Sequence, residues 1–252
     1  MPRFSANLGF LWAELPLPQA IRAAAAAGFD AVECHWPYDH DPGAVAAALQ
    51  EAGLPMLGLN TLRGKPGENG LSALPGRQTE ARAEIDRALD YAAAIGCGAV
   101  HVMAGFAEGA EAAAVFNDNL RHACDRAAGQ GTTVLIEPLN HYDAPGYFLR
   151  HATQAAAMIE ALDRPNLRLM FDCYHIQIMQ GDLTRRLQAL QPIIGHIQFA
   201  AVPDRGAPDH GEVDYRHIFA AIDAMGWDRP LGAEYKPGGP TEPTLGWMKT
   251  LV

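Results

Sequence analysis

Eight short apolar runs along the chain each close on a polar or charged side chain, and alanine-rich stretches of helical spacing separate them. The runs are FSANL, ending near Asn7, AVECHW with Glu33, PMLGLN ending at Asn60, and AVHVM with His101. TVLIE follows, ending at Glu137, then LRLMFD at Asp172, IIGHIQF with Gln198 and LGAEY with Glu234. Successive polar positions lie 26, 27, 41, 36, 35, 26 and 36 residues apart. Each interval has room for a loop, a helix and the next strand. Helical patterns fill residues 19–27, 44–52, 80–95, 110–128, 152–162, 183–190 and 215–225. Several stop at a glycine (Gly28, Gly53, Gly96, Gly129, Gly226), the residue that leaves a helix with least strain. Strand–helix alternation repeated eight times predicts an α/β fold, a (β/α)8 barrel in one domain spanning residues 1–252, rather than an open sheet. The irregular stretch 61–78, with GKPGENG and LPGR, follows the third strand. It is expected to be an active-site loop, not a domain boundary.

A parallel barrel carries its chemistry at the C-terminal ends of its strands, which is where these polar residues fall. VLIEPLNH, residues 134–141, poses the problem sharply: a run apolar enough to be buried ends on a carboxylate. A buried carboxylate is costly unless paired or bound to a metal. Glu137 is not alone. Glu137, Asp172, Gln198 and Glu234 close four consecutive runs, so all four are expected to ring one mouth of the barrel. Three negative charges that close raise one another's pKa unless something neutralises them. A divalent cation does so, and an all-oxygen set favours a hard ion, Mg2+ or Mn2+, over Zn2+. Glu137 and Glu234 would face each other across the ring. One can take a proton from a carbon beside a carbonyl while the other returns it, with the ion stabilising the enediolate.

Neighbouring residues add candidates. His175, three residues past Asp172, is placed on the loop after the sixth strand, where it can polarise a substrate carbonyl or hydroxyl. Arg205, beside Gly206, suits a substrate carboxylate or hydroxyl through its planar fork of donors. Glu33 and His35 are expected to line the substrate cavity, and Lys236 either adds charge for an acidic substrate or pairs with a nearby acid. His101 is a further substrate-side candidate, although an interior histidine of this kind is often only a packed one. Trp12, Trp36 and Tyr38 either wall the pocket or pack.

Composition narrows the classes. A net charge of −10 opposes nucleic acid and anionic membrane surfaces as partners. No apolar run approaches the ~20 residues that span a bilayer, and no signal-peptide pattern opens the chain, so a cytoplasmic location is expected. Cys34, Cys97, Cys124 and Cys173 form no CxxC pair and are expected to be free thiols. GxSxG, GxGxxG and Walker patterns are absent from the sequence, so neither a serine nucleophile nor a nucleotide site is expected.

Taken together, RFSANL, PYD, PGR, IEPLNH, FDCYH, GHIQFA, DRGAPDHGEVDY and EYKP resemble the hydroxypyruvate isomerase family, within the xylose-isomerase-like barrel superfamily. The likeness runs from residue 3 to about residue 248. It implies a divalent metal on Glu137, Asp172, Gln198 and Glu234, Glu137 and Glu234 as the acid/base pair, and substrate contacts from His175 and Arg205. Sugar epimerases of that superfamily usually carry histidine at the third ligand position, in an HxH pattern. HIQ here points to the hydroxypyruvate isomerase branch. That branch interconverts hydroxypyruvate and tartronate semialdehyde, a similar sub-branch isomerises 2-oxo-tetronates, and the residues do not separate the two. A small hydroxy-oxo acid is the expected substrate and a homo-oligomer, dimer or tetramer, the expected assembly. The competing readings are a ketose 3-epimerase, a DNA-repair nuclease on the same barrel, and a non-catalytic sugar-acid binding protein.

Overall fold

The computed structural model describes residues 2–251. Among them the chain runs β1 (Phe4–Asn7), α1 (Leu17–Ala26), β2 (Ala31–Glu33), α2 (Pro42–Ala52), β3 (Leu59–Asn60), α3 (Gln78–Ile95) and β4 (Ala99–His101). It continues with α4 (Gly109–Ala128), β5 (Thr133–Ile136), α5 (Ala152–Leu162), β6 (Leu167–Asp172), α6 (Cys173–Met179) and α7 (Leu183–Leu190). The last elements are β7 (Ile194–Phe199), α8 (Tyr215–Ala224), β8 (Leu231–Ala233) and α9 (Trp247–Thr250). The strands pair in the order β2-β1-β8-β7-β6-β5-β4-β3. Backbone bonds complete the ring between its two ends. Val32 N donates to Pro55 O at 3.0 Å, Leu57 N to Val32 O at 2.8 Å and Asn60 N to His35 O at 2.8 Å. This is the (β/α)8 barrel that the eightfold alternation predicts.

The longer helices present an apolar stripe to the sheet. In α1 the buried residues are Leu17, Ala20, Ile21 and Ala24, the spacing of one helical face. Asp41 caps α2 by accepting from Ala44 N, and Asp214 caps α8 by accepting from Arg216 N and His217 N, each such cap stabilising by about 1 kcal/mol. The helices over 152–162 and 183–190 fall where their patterns place them. α1 and α2 begin earlier than expected because Pro18 and Pro42 sit in their first turns, where proline lacks no needed donor. Two short helices, α6 and α9, escape the pattern altogether.

Period two along each strand creates the floor of the site. Ala99, Leu135 and Met170 form a small buried apolar cluster, separate from the main core between strands and helices. Two residues further on, the same inward stripe carries His101, Glu137 and Asp172. The barrel interior therefore changes from apolar to ionisable within one layer. A register shift between Leu169 and Met170 sets Asp172 opposite Gln198 on β7.

Candidate active site and metal centre

One ligand atom from each of Glu137, Asp172, His175 and Glu234 lies within 4.8 Å of the others, and all four residues are buried. Gln198 stands in register with Asp172 on one side and Gly232 on the other. Three oxygens here are buried without a hydrogen-bond partner: Glu137 Oε1, Asp172 Oδ2 and Gln198 Oε1. Leaving buried acceptors unpaired is costly. A set of unpaired oxygens on neighbouring strands fits a hard divalent cation, so these residues could hold a metal.

Local structure fixes each group. Asp172 ends β6 and caps α6: its Oδ1 accepts from Tyr174 N at 2.8 Å, leaving Oδ2 turned to the cluster. His175 therefore lies in a helical turn, not in the loop its sequence context suggests. Its Nδ1 accepts from Asn140 N at 3.0 Å, so the neutral ring carries its proton on Nε2. Nε2 stands 3.6 Å from Asp172 Oδ2 and 4.0 Å from Glu137 Oε1. With its proton on Nε2, the His175 ring is turned toward the cluster as a hydrogen-bond donor.

The two glutamates sit in opposite environments. Burial, reinforced by Glu234 and Asp172, pushes the Glu137 carboxyl well above its usual range. Burial acts against the charged form of Glu234 too, but Arg205 and His35 outweigh it and hold that carboxyl well below the usual range. Arg205 Nη2 is 2.7 Å from Glu234 Oε2, Asn7 Nδ2 donates to Oε1 at 3.1 Å, and His35 Nε2 is 2.9 Å from the same oxygen. Burial and the Glu234 charge raise Asp172 to about 8. Burial lowers His101 to about 4, and burial with Arg205 lowers His175 to about 3, so both rings are neutral at pH 7. Two nearby carboxyls driven apart in this way are the usual mark of an acid/base pair.

Arg205 is the most constrained residue of the site. It holds a left-handed φ of 58°, where a non-glycine residue is strained. Its backbone is pinned on both sides, N to Ala201 O at 3.0 Å and O from Lys236 N at 2.7 Å. The guanidinium also reaches Asp143 Oδ2 at 3.2 Å and lies over the Phe10 and Tyr174 rings, 4.9 Å from each.

A cavity of about 250 Å³ opens above these groups. His101, Lys236, His35 and Trp36 line it, and both His101 nitrogens lack a hydrogen-bond partner. Glu33 does not. It is buried outside the cavity lining, paired in register with Asn7 on β1 and bonded to Asn7, His196 and Gln198. Trp12 and Tyr38 pack, against Phe29 and Tyr91 respectively. The four cysteines are free and buried, and burial raises the Cys97 thiol to about 12, so none is poised as a nucleophile. Sequence reasoning missed Arg63 and Asn69, which the 61–77 loop brings to the cavity wall, and Asp143, the second partner of Arg205. No periodicity marks such loop residues.

Known proteins share this architecture. A family model described as xylose isomerase-like TIM barrel matches residues 21–251. A 2-oxo-tetronate isomerase of Cupriavidus necator is 44% identical, the alignment covering 100% of this chain and 99% of that one. A Homo sapiens protein named "Putative hydroxypyruvate isomerase" is 43% identical over 98% of this chain and 94% of its own. A Brucella melitensis crystal structure, described as AP endonuclease, family 2, superimposes with a TM-score of 0.95 at 40% identity, covering 99% of each chain. By family model, sequence and architecture alike, the chain belongs to the xylose isomerase-like TIM barrels and, within them, to the hydroxypyruvate isomerase family.

Proposed function

We propose that the chain is a metal-dependent isomerase of a small hydroxy-oxo acid, converting hydroxypyruvate to tartronate semialdehyde. The observation that carries this reading is the convergence of Glu137 and Glu234, driven to opposite protonation tendencies, on one cluster with Asp172. A divalent ion, Mg2+ or Mn2+, would be held by Glu137, Asp172, Gln198 and Glu234 and supplies Lewis-acid stabilisation of negative charge on the substrate oxygens. One glutamate removes the proton from the hydroxymethyl carbon. That C–H pair becomes the carbon–carbon double bond of an enediolate, and the carbonyl pair moves onto its oxygen. The other glutamate, protonated, returns a proton to the former carbonyl carbon, while the terminal hydroxyl proton passes to the former carbonyl oxygen, leaving an aldehyde at one carbon and a hydroxyl at the other. Nothing is oxidised or reduced overall, so no second substrate is needed. His175 donates through Nε2 to a substrate oxygen. Arg63 and Lys236 line the cavity with no carboxylate partner among the described residues, which suits them to the substrate carboxylate.

A 2-oxo-tetronate is the alternative substrate. Relatives named for it and for hydroxypyruvate stand at 44% and 43% identity, too close to choose between. A ketose 3-epimerase would leave Arg63 and Lys236 without an anion to meet. A nuclease is opposed by the net charge of −10, since a phosphate backbone needs clustered cations. The test assays metal-stripped protein on hydroxypyruvate, a 2-oxo-tetronate, D-allulose and D-fructose, with Mg2+, Mn2+ and Co2+ added back. Metal-dependent turnover of the acids is expected. Turnover of the neutral sugars alone overturns the reading.

A further inference from the structure

A glutamine ligand carries an ambiguity that a carboxylate does not. Its amide presents an oxygen or a nitrogen according to one rotation, and only the oxygen has a lone pair for a cation. Gln198 is held in one sense. Its Nε2 donates to Glu33 Oε1 at 2.8 Å, while its Oε1 is buried and unpartnered. Glu33 Oε1 also accepts from Asn7 Nδ2 at 3.0 Å, and Asn7 Nδ2 stands 3.1 Å from Glu234 Oε1. The other Glu33 oxygen contacts His196 Nε2, two residues before Gln198 on the same face of β7. Gly232 leaves room for this arrangement, since a Cβ there would lie 2.7 Å from Glu33 Oε1 and 2.8 Å from Gln198 Cγ.

We propose that Glu33 is a positioning residue that selects the oxygen-inward orientation of the Gln198 amide and, through Asn7, aligns Glu234 with it. Glu33 is not among the residues that line the cavity. Its oxygen Oε1 receives two amide N–H donors and so acts purely as an acceptor, which only the nitrogen side of Gln198 can satisfy. The proposal rests on the metal reading above.

The experiment titrates metal-stripped protein with Mn2+ and follows the free ion by electron paramagnetic resonance, a readout independent of turnover. Glu33→Leu, which removes the acceptor, is expected to weaken Mn2+ binding about 10–100-fold. Glu33→Gln, which keeps an acceptor oxygen, is expected to retain binding within about threefold. In a Gln198→Glu background the ligand has two equivalent oxygens, so Glu33→Leu is expected to leave affinity unchanged or raise it by relieving repulsion. Should Glu33→Leu not fold, Glu33→Ala, which also removes the acceptor, is compared in the two backgrounds instead, with loss expected beside Gln198 and none in the Gln198→Glu background. Equal losses in both backgrounds, or wild-type affinity in Glu33→Leu, overturn the proposal. Failure of the wild-type protein itself to bind Mn2+ overturns the metal reading instead.

Discussion

Arg205 shows how one side chain sets the chemistry of its neighbours. Its fork spans Glu234 at 2.7 Å and Asp143 at 3.2 Å, and its charge is the main influence holding Glu234 ionised against burial. A lysine keeps the charge but not the two-pronged geometry. Arg205→Lys should therefore lower kcat/KM at least about tenfold while the melting temperature shifts by no more than a few degrees. Steady-state kinetics beside calorimetry check this, and unchanged kinetics would remove Arg205 from the site's machinery. At this scale the sequence names the ionisable residues well, because each ends an apolar run. It misplaces Glu33, because the bonds that turn its carboxylate to Asn7, His196 and Gln198 come from strands distant in the chain, which no local pattern encodes. It is silent on Arg63, which looks like any surface arginine in a polar loop.

Among the elements, the segment between β3 and α3 brings Arg63 and Asn69 to the cavity wall. Gly70 folds it back onto β4: Gly70 N donates to Arg63 O at 2.8 Å, and Ala73 N to Ala104 O at 2.7 Å. Gly70 has φ 110°, and a Cβ would fall 2.5 Å from Met103 O, so only glycine fits. Gly70→Ala should displace Arg63, whose guanidinium now lies 4.1 Å over Trp36, and raise KM for the acid substrate several-fold. Direct removal of the cations should do more. Arg63→Leu or Lys236→Met is expected to raise KM about tenfold or more with kcat little changed, and an unaltered KM would place the carboxylate elsewhere. Strands and long helices are legible from apolar spacing because each must bury one face. α6 is not, because seven residues following a strand without a break read as loop until the Asp172 cap is seen in place.

Over the whole molecule, the buried charges are expected to make stability depend on pH and, on the proposed reading, on metal. With the ion stripped, Glu137 is raised and Asp172 titrates near about 8, so the native state holds protons that the unfolded chain releases near its ordinary carboxylate range. Stability contributed by such groups falls as pH rises. His101 and His175, buried neutral at about 4 and about 3, act oppositely, but only up to the unfolded histidine value near pH 6.5. Glu234, depressed, loses stability only on acidification below the carboxylate range. The melting temperature of the metal-free protein should therefore fall between about pH 6.5 and 8. Added Mn2+ should raise it most at the alkaline end, where binding displaces fewest protons. A metal-free melting temperature that climbs across that window would contradict the assignment.

Proton removal by one glutamate and return by the other is tested most directly by running the isomerisation of hydroxypyruvate in D2O and reading the product by NMR. The account predicts solvent deuterium at the former carbonyl carbon with wild-type protein, and turnover lost by about a thousandfold or more in folded Glu137→Gln and Glu234→Gln. Product free of solvent deuterium, or near-wild-type turnover by either variant, would contradict it.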